Sequence, residues 1–276
     1  PGLLPYAAHR WLVPQLPEGV ATLVFPASAV VGEFLSMRLS PFGSWGSVAY
    51  TQHRARSLSQ WVSVTGLWGI TFLVSWTAPI LAQLASSPRH ALAPLMCWAA
   101  VLMVVVLWGR RRLMRAEAGA VHVPVAAITW SDALMTREQL MAALMPSSAE
   151  QRVAQRGQFQ RVLDGFRDAT RQAAAAGSAL VLRPEACVPM WAEDEEAVLA
   201  QLARTAQDSG VWLAAGIAVL HAREGAALRL DNAVVLYDTS GTLRWRYRKA
   251  RPVPGWERAC SLPSVDRLPV SASDWG

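Results

Sequence analysis

Between Ser57 and Pro88 the chain carries no Asp, Glu, Lys or Arg, and inside that stretch Trp61 to Leu84 (WVSVTGLWGITFLVSWTAPILAQL) supplies 24 mostly apolar residues. About 20 such residues cross the hydrocarbon core of a bilayer, so the run predicts a membrane helix. Ala91 to Gly109 is a second uncharged run, of 19 residues, closed by Arg110, Arg111 and Arg112. A third stretch, Gly19 to Met37, contains Glu33 and Pro26 and reads as a weaker or re-entrant span. Trp45, Trp61 and Trp108 lie near segment ends, where an amphipathic ring suits the headgroup region. A carboxylate inside an apolar span is costly, which makes Glu33 a functional candidate unless it pairs with Arg38 or faces water.

Charge is distributed to match. Residues 1–118 hold nine Arg and three acids, a net of +6, whereas residues 119–276 are neutral overall. The excess charge belongs to the apolar half, flanking its apolar segments, as in membrane proteins. A nucleic-acid binder would instead concentrate it on a folded polar surface, so no nucleic-acid partner is expected. The three cysteines, Cys97, Cys187 and Cys260, have no metal-ligand spacing, and neither a disulfide framework, a metal site nor a cofactor is expected. The chain is expected to divide into a helical membrane region, 1–118, incomplete at its N-terminus, and a layered α/β domain, 119–276, truncated at its C-terminus.

In the second half, Val121 to Ile128 reads as a strand. Arg152 to Ala176 reads as an amphipathic helix with Val153, Phe159, Val162, Leu163 and Phe166 on one side. Ala179 to Arg183 is a short buried strand, followed by a helix whose first turn holds Glu193, Asp194, Glu195 and Glu196. Val211 to Leu220, Ala233 to Tyr237 and Leu243 to Tyr247 read as three further strands.

Two places offer chemistry. Glu185, in Arg-Pro-Glu-Ala-Cys at the end of a buried strand, occupies the position where α/β sheets present reactive groups. Lys249 is the only lysine beside 25 arginines, and a compact ammonium approaches a developing oxyanion as a planar guanidinium does not. Cys187, two residues beyond Glu185, points to the same side if the backbone stays extended; a small buried hydrophobe is the commoner fate of such a cysteine.

The segment ALVLRPEACVP resembles the strand that carries the catalytic Glu of the nitrilase superfamily. YRKARPVPGWE resembles that superfamily's Lys motif, with Glu257 eight residues after Lys249, and Asp231-Asn232-Ala-Val-Val resembles the Asn-opened strand before it. Phe25 to Gln52 followed by LSQWVSVTGLWGITFLV is similar to the membrane region of the apolipoprotein N-acyltransferase family. Two local departures stand out: the first strand ends in Thr129-Trp130 without the family's Gln, and Arg251-Pro252 replaces Leu-Val.

The resemblance implies a nitrilase-like αββα sandwich after a multi-span membrane region in the bacterial inner membrane, with a periplasmic catalytic domain. Counting Arg around the spans alone points that domain to the cytoplasm. It implies Glu185 as general base, Lys249 at the oxyanion and Glu257 beside it, with Glu33, Asn232, Trp191 and Trp256 binding substrate. The nucleophilic Cys would lie past Ser273-Asp274-Trp275-Gly276, leaving the fragment itself inactive. The implied reaction moves an acyl group from a phospholipid donor, through a Cys thioester, to the N-terminal amine of a diacylglyceryl-cysteine lipoprotein. A membrane-tethered carbon-nitrogen hydrolase, with water as acceptor, is the alternative.

Overall fold

The computed structural model describes residues 2–117, 121–129, 149–221, 229–264 and 267–273, with Thr136, Glu138, Ala142 and Trp275. The composition change at 118–119, Trp130 and the closing Asp274 and Gly276 lie outside the described residues. The chain forms two compact units, Pro1–Ala120 and Val121–Gly276.

The first unit is helical: α1 (Leu4–Leu12), α2 (Glu18–Ala21), α3 (Val24–Leu39), α4 (Arg56–Ser59), α5 (Val62–Thr65), α6 (Leu67–Ser86) and α7 (Pro88–Glu117). Three stretches, Gly19–Leu39, Leu67–Ser86 and Pro88–Arg115, are helical, long and apolar enough to cross a membrane. The first is divided at Thr22 and Leu23 between α2 and α3, but Pro26 does not interrupt α3 because it falls in that helix's opening turn, where a missing N–H leaves no helical bond unmade. The 24-residue run expected from Trp61 is divided instead. Gly66 takes φ +64°, ends α5 and restarts the chain as α6, a conformation that glycine adopts without steric cost. Ile70, Leu73, Trp76 and Ile80 of α6 pack with Val105 of α7 and Leu58 of α4, and the Trp76 indole donates to Thr22 Oγ1 at 3.2 Å.

The second unit is built on one sheet, β1 (Val125–Ala127), β2 (Leu180–Leu182), β3 (Val188–Trp191), β4 (Trp212–His221), β5 (Arg229–Tyr237) and β6 (Leu243–Arg248). Spatial order is β1-β2-β4-β5-β6, with β3 also on β4; β1, β2, β3 and β4 run parallel, and β5 and β6 are antiparallel to their neighbours. The long helices α8 (Ala149–Ala175) and α9 (Glu195–Ser209) supply the helical layer. In α8, Phe159, Val162, Leu163 and Phe166 recur at helical spacing and are buried, whereas Val153, expected on that stripe, is 64% exposed. They meet Val181, Leu213, Ala215, Ile217 and Val235 in one core, where each fully buried large apolar side chain contributes about 1.5–3 kcal/mol. The Tyr237 hydroxyl donates to Leu199 O of α9 at 3.2 Å, which fixes the helix-bearing face of β5.

Cross-strand register assigns the other face. Val125, Ala127, Leu180, Leu182, Ala214, Val234, Leu236, Trp245 and Tyr247 share it and are half-buried or exposed, whereas Trp212, opposite Leu180 on the same face, is buried with its ring 5.6 Å from that of Trp275. An apolar face of this breadth, left half-open, is unusual for a sheet in water.

Asp231 faces the helices and is almost fully buried. It accepts from Arg246 Nη2 at 2.6 Å and from Arg248 Nε and Nη2 at 2.6 and 3.0 Å. Burial alone would raise its carboxyl; the hydrogen bonds from Arg248 and the charges of Arg246 and Arg248 outweigh that and hold it below the ordinary range. A carboxyl depressed in the folded state stabilises above its unfolded pKa, about 3.9, and that contribution is lost as pH falls through the folded value. Asp231→Asn is therefore expected to lose about 1.5–3 kcal/mol at pH 7 and to show a shallower fall in stability on acidification. Urea unfolding between pH 3 and 7 measures both.

Candidate active site

The site begins with a mismatch between β2, β3 and β4. Leu182 pairs with Ala214 and Val188 with Ile217, so five residues, 183–187, stand opposite two. The excess backbone must leave the sheet, and it does so as a turn at Glu185 and Ala186. Ala186 takes φ +53°. Gly216 permits the close approach: a Cβ there would lie 2.2 Å from Pro184 O and 2.8 Å from Glu185 Cα, so any side chain would displace the turn. Glu185 is thereby lifted over the open apolar face.

Three side chains gather around it. Lys249, the first residue past β6, places Nζ 2.7 Å from Glu185 Oε1 and 2.9 and 3.0 Å from the two oxygens of Glu257. Glu257 lies in the first turn of α10 (Trp256–Cys260) and also accepts from Val253 N at 2.7 Å. Asn232 Nδ2 donates to Glu185 Oε1 at 2.7 Å and to Glu257 Oε1 at 2.9 Å. Its own carbonyl accepts from Lys249 N at 2.8 Å, so β5 sets the height at which Lys249 leaves the sheet. Glu185, Gly216, Asn232, Val234, Tyr247 and Lys249 line a cavity of about 320 Å³, with Arg183 and Ala233 completing its wall.

Electrostatics follow from these contacts. Burial disfavours the Lys249 ammonium, but hydrogen bonds and charge from Glu185 and Glu257 outweigh it and hold the pKa above the ordinary lysine value. Burial likewise raises Glu257, and the bonds from Lys249, Val253 N and Asn232 more than reverse it. The arrangement holds a fixed ammonium between two carboxylates at the mouth of a cavity. It can accept a proton at Glu185 and stabilise a growing negative charge near Nζ.

Glu185, Asn232, Lys249 and Glu257, singled out from the sequence, are thus brought together; Asn232 is the fourth residue of β5, not its opening one. The tryptophans are not part of the cluster. Trp191 ends β3 and is fully buried, its ring 6.4 Å from Phe159 and under the Arg152 guanidinium. Trp256 begins α10 with 43% of its surface exposed and does not line the cavity. The left-handed Ala186 also turns Cys187 away from the side expected of an extended backbone. Its thiol donates to Gly216 O at 3.3 Å, and burial pushes its pKa up to about 12. Burial raises the Cys260 thiol as well, so neither is an activated nucleophile. Among the described residues no group of His, Cys, Asp and Glu has the makings of a metal site.

Within the first unit, Glu33 does not pair with Arg38, whose guanidinium lies over the Phe34 ring at 5.3 Å. Its carboxylate accepts from the Ser47 hydroxyl and, at 2.9 Å, from Thr71 Oγ1. It lines a cavity of about 250 Å³ under Trp45 and the 43–48 loop.

The chain belongs to the carbon-nitrogen hydrolase family, whose model matches residues 135–274, a span that contains the Pro-Glu turn, the Asn on β5 and the Lys-Glu pair. Residues 2–80 match a second model, the apolipoprotein N-acyltransferase N-terminal domain. An apolipoprotein N-acyltransferase of Geobacter metallireducens is 24% identical over 270 residues, covering 94% of this chain and 48% of that protein. The chain therefore spans about half the length of the curated relative it matches. Among solved structures, an amidase from Nesterenkonia sp. is 21% identical with a TM-score of 0.40, covering 55% of this chain and 52% of that one. A carbon-nitrogen hydrolase from Helicobacter pylori is 18% identical with a TM-score of 0.34, covering 39% and 41%.

Proposed function

We propose that this chain is part of an acyltransferase of the bacterial inner membrane, with its α/β domain on the periplasmic side. It would move a fatty acyl group from a phospholipid to the N-terminal amine of a diacylglyceryl-cysteine lipoprotein. The observation that carries this reading is the Glu185–Lys249–Glu257 cluster in a protein whose residues 2–80 match the N-terminal domain of such enzymes. The nucleophile is a cysteine that follows Gly276 in the full-length protein. Glu185 takes the thiol proton as sulfur attacks the phospholipid ester carbonyl, and Lys249 faces the tetrahedral oxyanion. Glu185 then returns the proton to the departing lysophospholipid oxygen, which leaves a thioester. In the second half the lipoprotein amine attacks the thioester, Glu185 accepts the amine proton, and the thiol is restored. Glu257 and Asn232 keep the ammonium and the base in register; Glu33 belongs to the membrane region that receives lipid.

The half-open apolar face supports the αββα sandwich in the same way. A second sheet laid over Leu182, Leu236, Trp245 and their neighbours would bury that surface and bring the cysteine to the cavity beside Glu185. The full-length protein in bilayers is expected to gain a hydroxylamine-labile acyl group from phospholipid and to pass it to a diacylglyceryl-cysteine peptide. Mass spectrometry reads both steps. Release of free fatty acid with no acylated peptide would favour the membrane-tethered hydrolase, and no acyl adduct at all would overturn the reading.

A further inference from the structure

The helix-bearing face of β5 and β6 carries contacts that the chemistry above does not use. Side chains alternate along a strand, so Asp231 and Arg248 meet on that face while their chain neighbours, Asn232 and Lys249, serve the site. Asp231 receives Arg248 as a fork, Nε on Oδ1 at 2.6 Å and Nη2 on Oδ2 at 3.0 Å. Arg246, itself paired with Glu195 of α9, also donates to Oδ2 at 2.6 Å.

The third nitrogen of Arg248 reaches forward in the chain. Nη1 donates to Pro263 O at 2.9 Å, and the Ser264 hydroxyl returns a bond to Arg248 O at 2.8 Å. Residue 248 thereby joins residues 263 and 264, and the segment between them, 249–262, is a closed loop. Lys249 opens that loop, and Glu257 sits within it on α10. Its far end is tied to β5 as well, where Leu262 N donates to Leu230 O at 2.8 Å.

Lys249 Nζ is held by Glu257 of the same loop and by Glu185 outside it. Where the ammonium stands therefore depends on where the loop starts and where α10 lies, and Arg248 bears on both. A guanidinium suits this task because its donors point in several fixed directions, so one side chain meets a buried carboxylate and a backbone carbonyl together. A lysine at the same place offers a single point of contact. We infer that Arg248, anchored on Asp231, is a positioning residue for Lys249 and Glu257: it clasps the 249–262 loop and so fixes the point at which Nζ meets Glu185 and the reacting carbonyl. This rests on the proposed reading of Lys249 as the oxyanion donor.

The test is single-turnover acyl-enzyme formation by the full-length protein in detergent–phospholipid mixed micelles. The rate constant is taken at saturating phospholipid and per folded molecule, as counted from unfolding curves. For Arg248→Lys it is expected to fall roughly 10–100-fold, the consequence of a misplacement of about 1 Å. The phospholipid concentration for half-maximal rate should change by less than about 2-fold, since ground-state binding is untouched. Tyr237→Phe, which removes the bond to Leu199 O from the same strand, is the control: it should lower stability and leave the rate constant of the folded protein unchanged. If Arg248→Lys follows that control, Arg248 only stabilises the sheet and the inference is overturned. Coupling to the ammonium is read in a double variant. Once Lys249→Arg has removed the donor, adding Arg248→Lys should lower the rate by less than about 3-fold more, because the two act as a unit. Losses that multiply in full would overturn the inference. Should Arg248→Lys fail to fold, Ser264→Ala opens one end of the clasp and leaves the Asp231 pair in place. Its rate constant is expected to fall by roughly 2–10-fold, the range of a single hydrogen bond, and an unchanged one would overturn the clasp. Near-normal activity in Lys249→Arg alone would instead sink the oxyanion reading, which separates the two failures.

Discussion

Glu185→Gln in the full-length protein is expected to lower the rate of acyl-enzyme formation by about 10²–10⁴-fold, the range that a positioned general base supplies. The substitution keeps the side chain's length and its oxygen. The amide oxygen still accepts from Lys249 Nζ and Asn232 Nδ2, which lie 2.7 Å from Glu185 Oε1, so the turn has no reason to move. What is lost is the ability to take a proton at the operating pH. Lipid binding and thermal stability should change little, because Glu185 is 60% exposed and its contribution to folding is that of a solvent-screened pair. Single-turnover measurement of the thioester, with a melting curve as control, separates the two quantities. A rate within a few-fold of wild type would mean that another group removes the proton.

Much of this site was legible because its chemistry is carried by residue types that are conspicuous in their surroundings. A lone lysine among 25 arginines, a Pro-Glu after a short apolar strand and a second acid eight residues past the lysine each stand out locally. The sheet does the remaining work by bringing residues 185, 232 and 249 to one place. The three apolar runs were legible for a similar reason, since length and absence of charge are direct properties of the sequence.

The parts that were not legible depend on tertiary context. A strand of four residues containing Pro189 gives little local signal for β3; it is tolerated because β3 pairs with β4 alone among the described residues. Nothing in Glu-Ala-Cys announces that Ala186 will turn left-handed, and with that turn Cys187 passes from the side of Glu185 into the core. Trp191 and Trp256 look alike as amphipathic rings, yet one is sealed under Phe159 and Arg152 and the other is a partly exposed first residue of α10. Arg248 reads as one more of 25 arginines. The available signal was its place directly before the lone lysine, where strand alternation turns it to the opposite face.

Lys249→Arg in the full-length protein is expected to lower acyl-enzyme formation by about 10²–10³-fold, the cost of losing one oxyanion donor. The charge is retained, so attraction of lipid or solubility would be unaffected, and a protein with 25 other arginines tolerates one more in expression and insertion. The geometry is what changes. Lys249 Nζ reaches Glu185 and both oxygens of Glu257 from a single point, at 2.7, 2.9 and 3.0 Å. A guanidinium has its donors spread in a rigid plane and ends in a carbon bearing two nitrogens where lysine ends in a single nitrogen. Two of its N–H groups can satisfy Glu257 as a fork, and doing so draws the charge toward α10 and away from the cavity that Glu185 overlooks. The variant therefore keeps an ion pair and loses the donor at the reacting carbonyl. Stability should be held or slightly raised while the rate falls, and that opposite movement is the signature to measure. Near-normal thioester formation by the Arg variant would make Lys249 a structural partner of Glu257 and would remove it from the reaction.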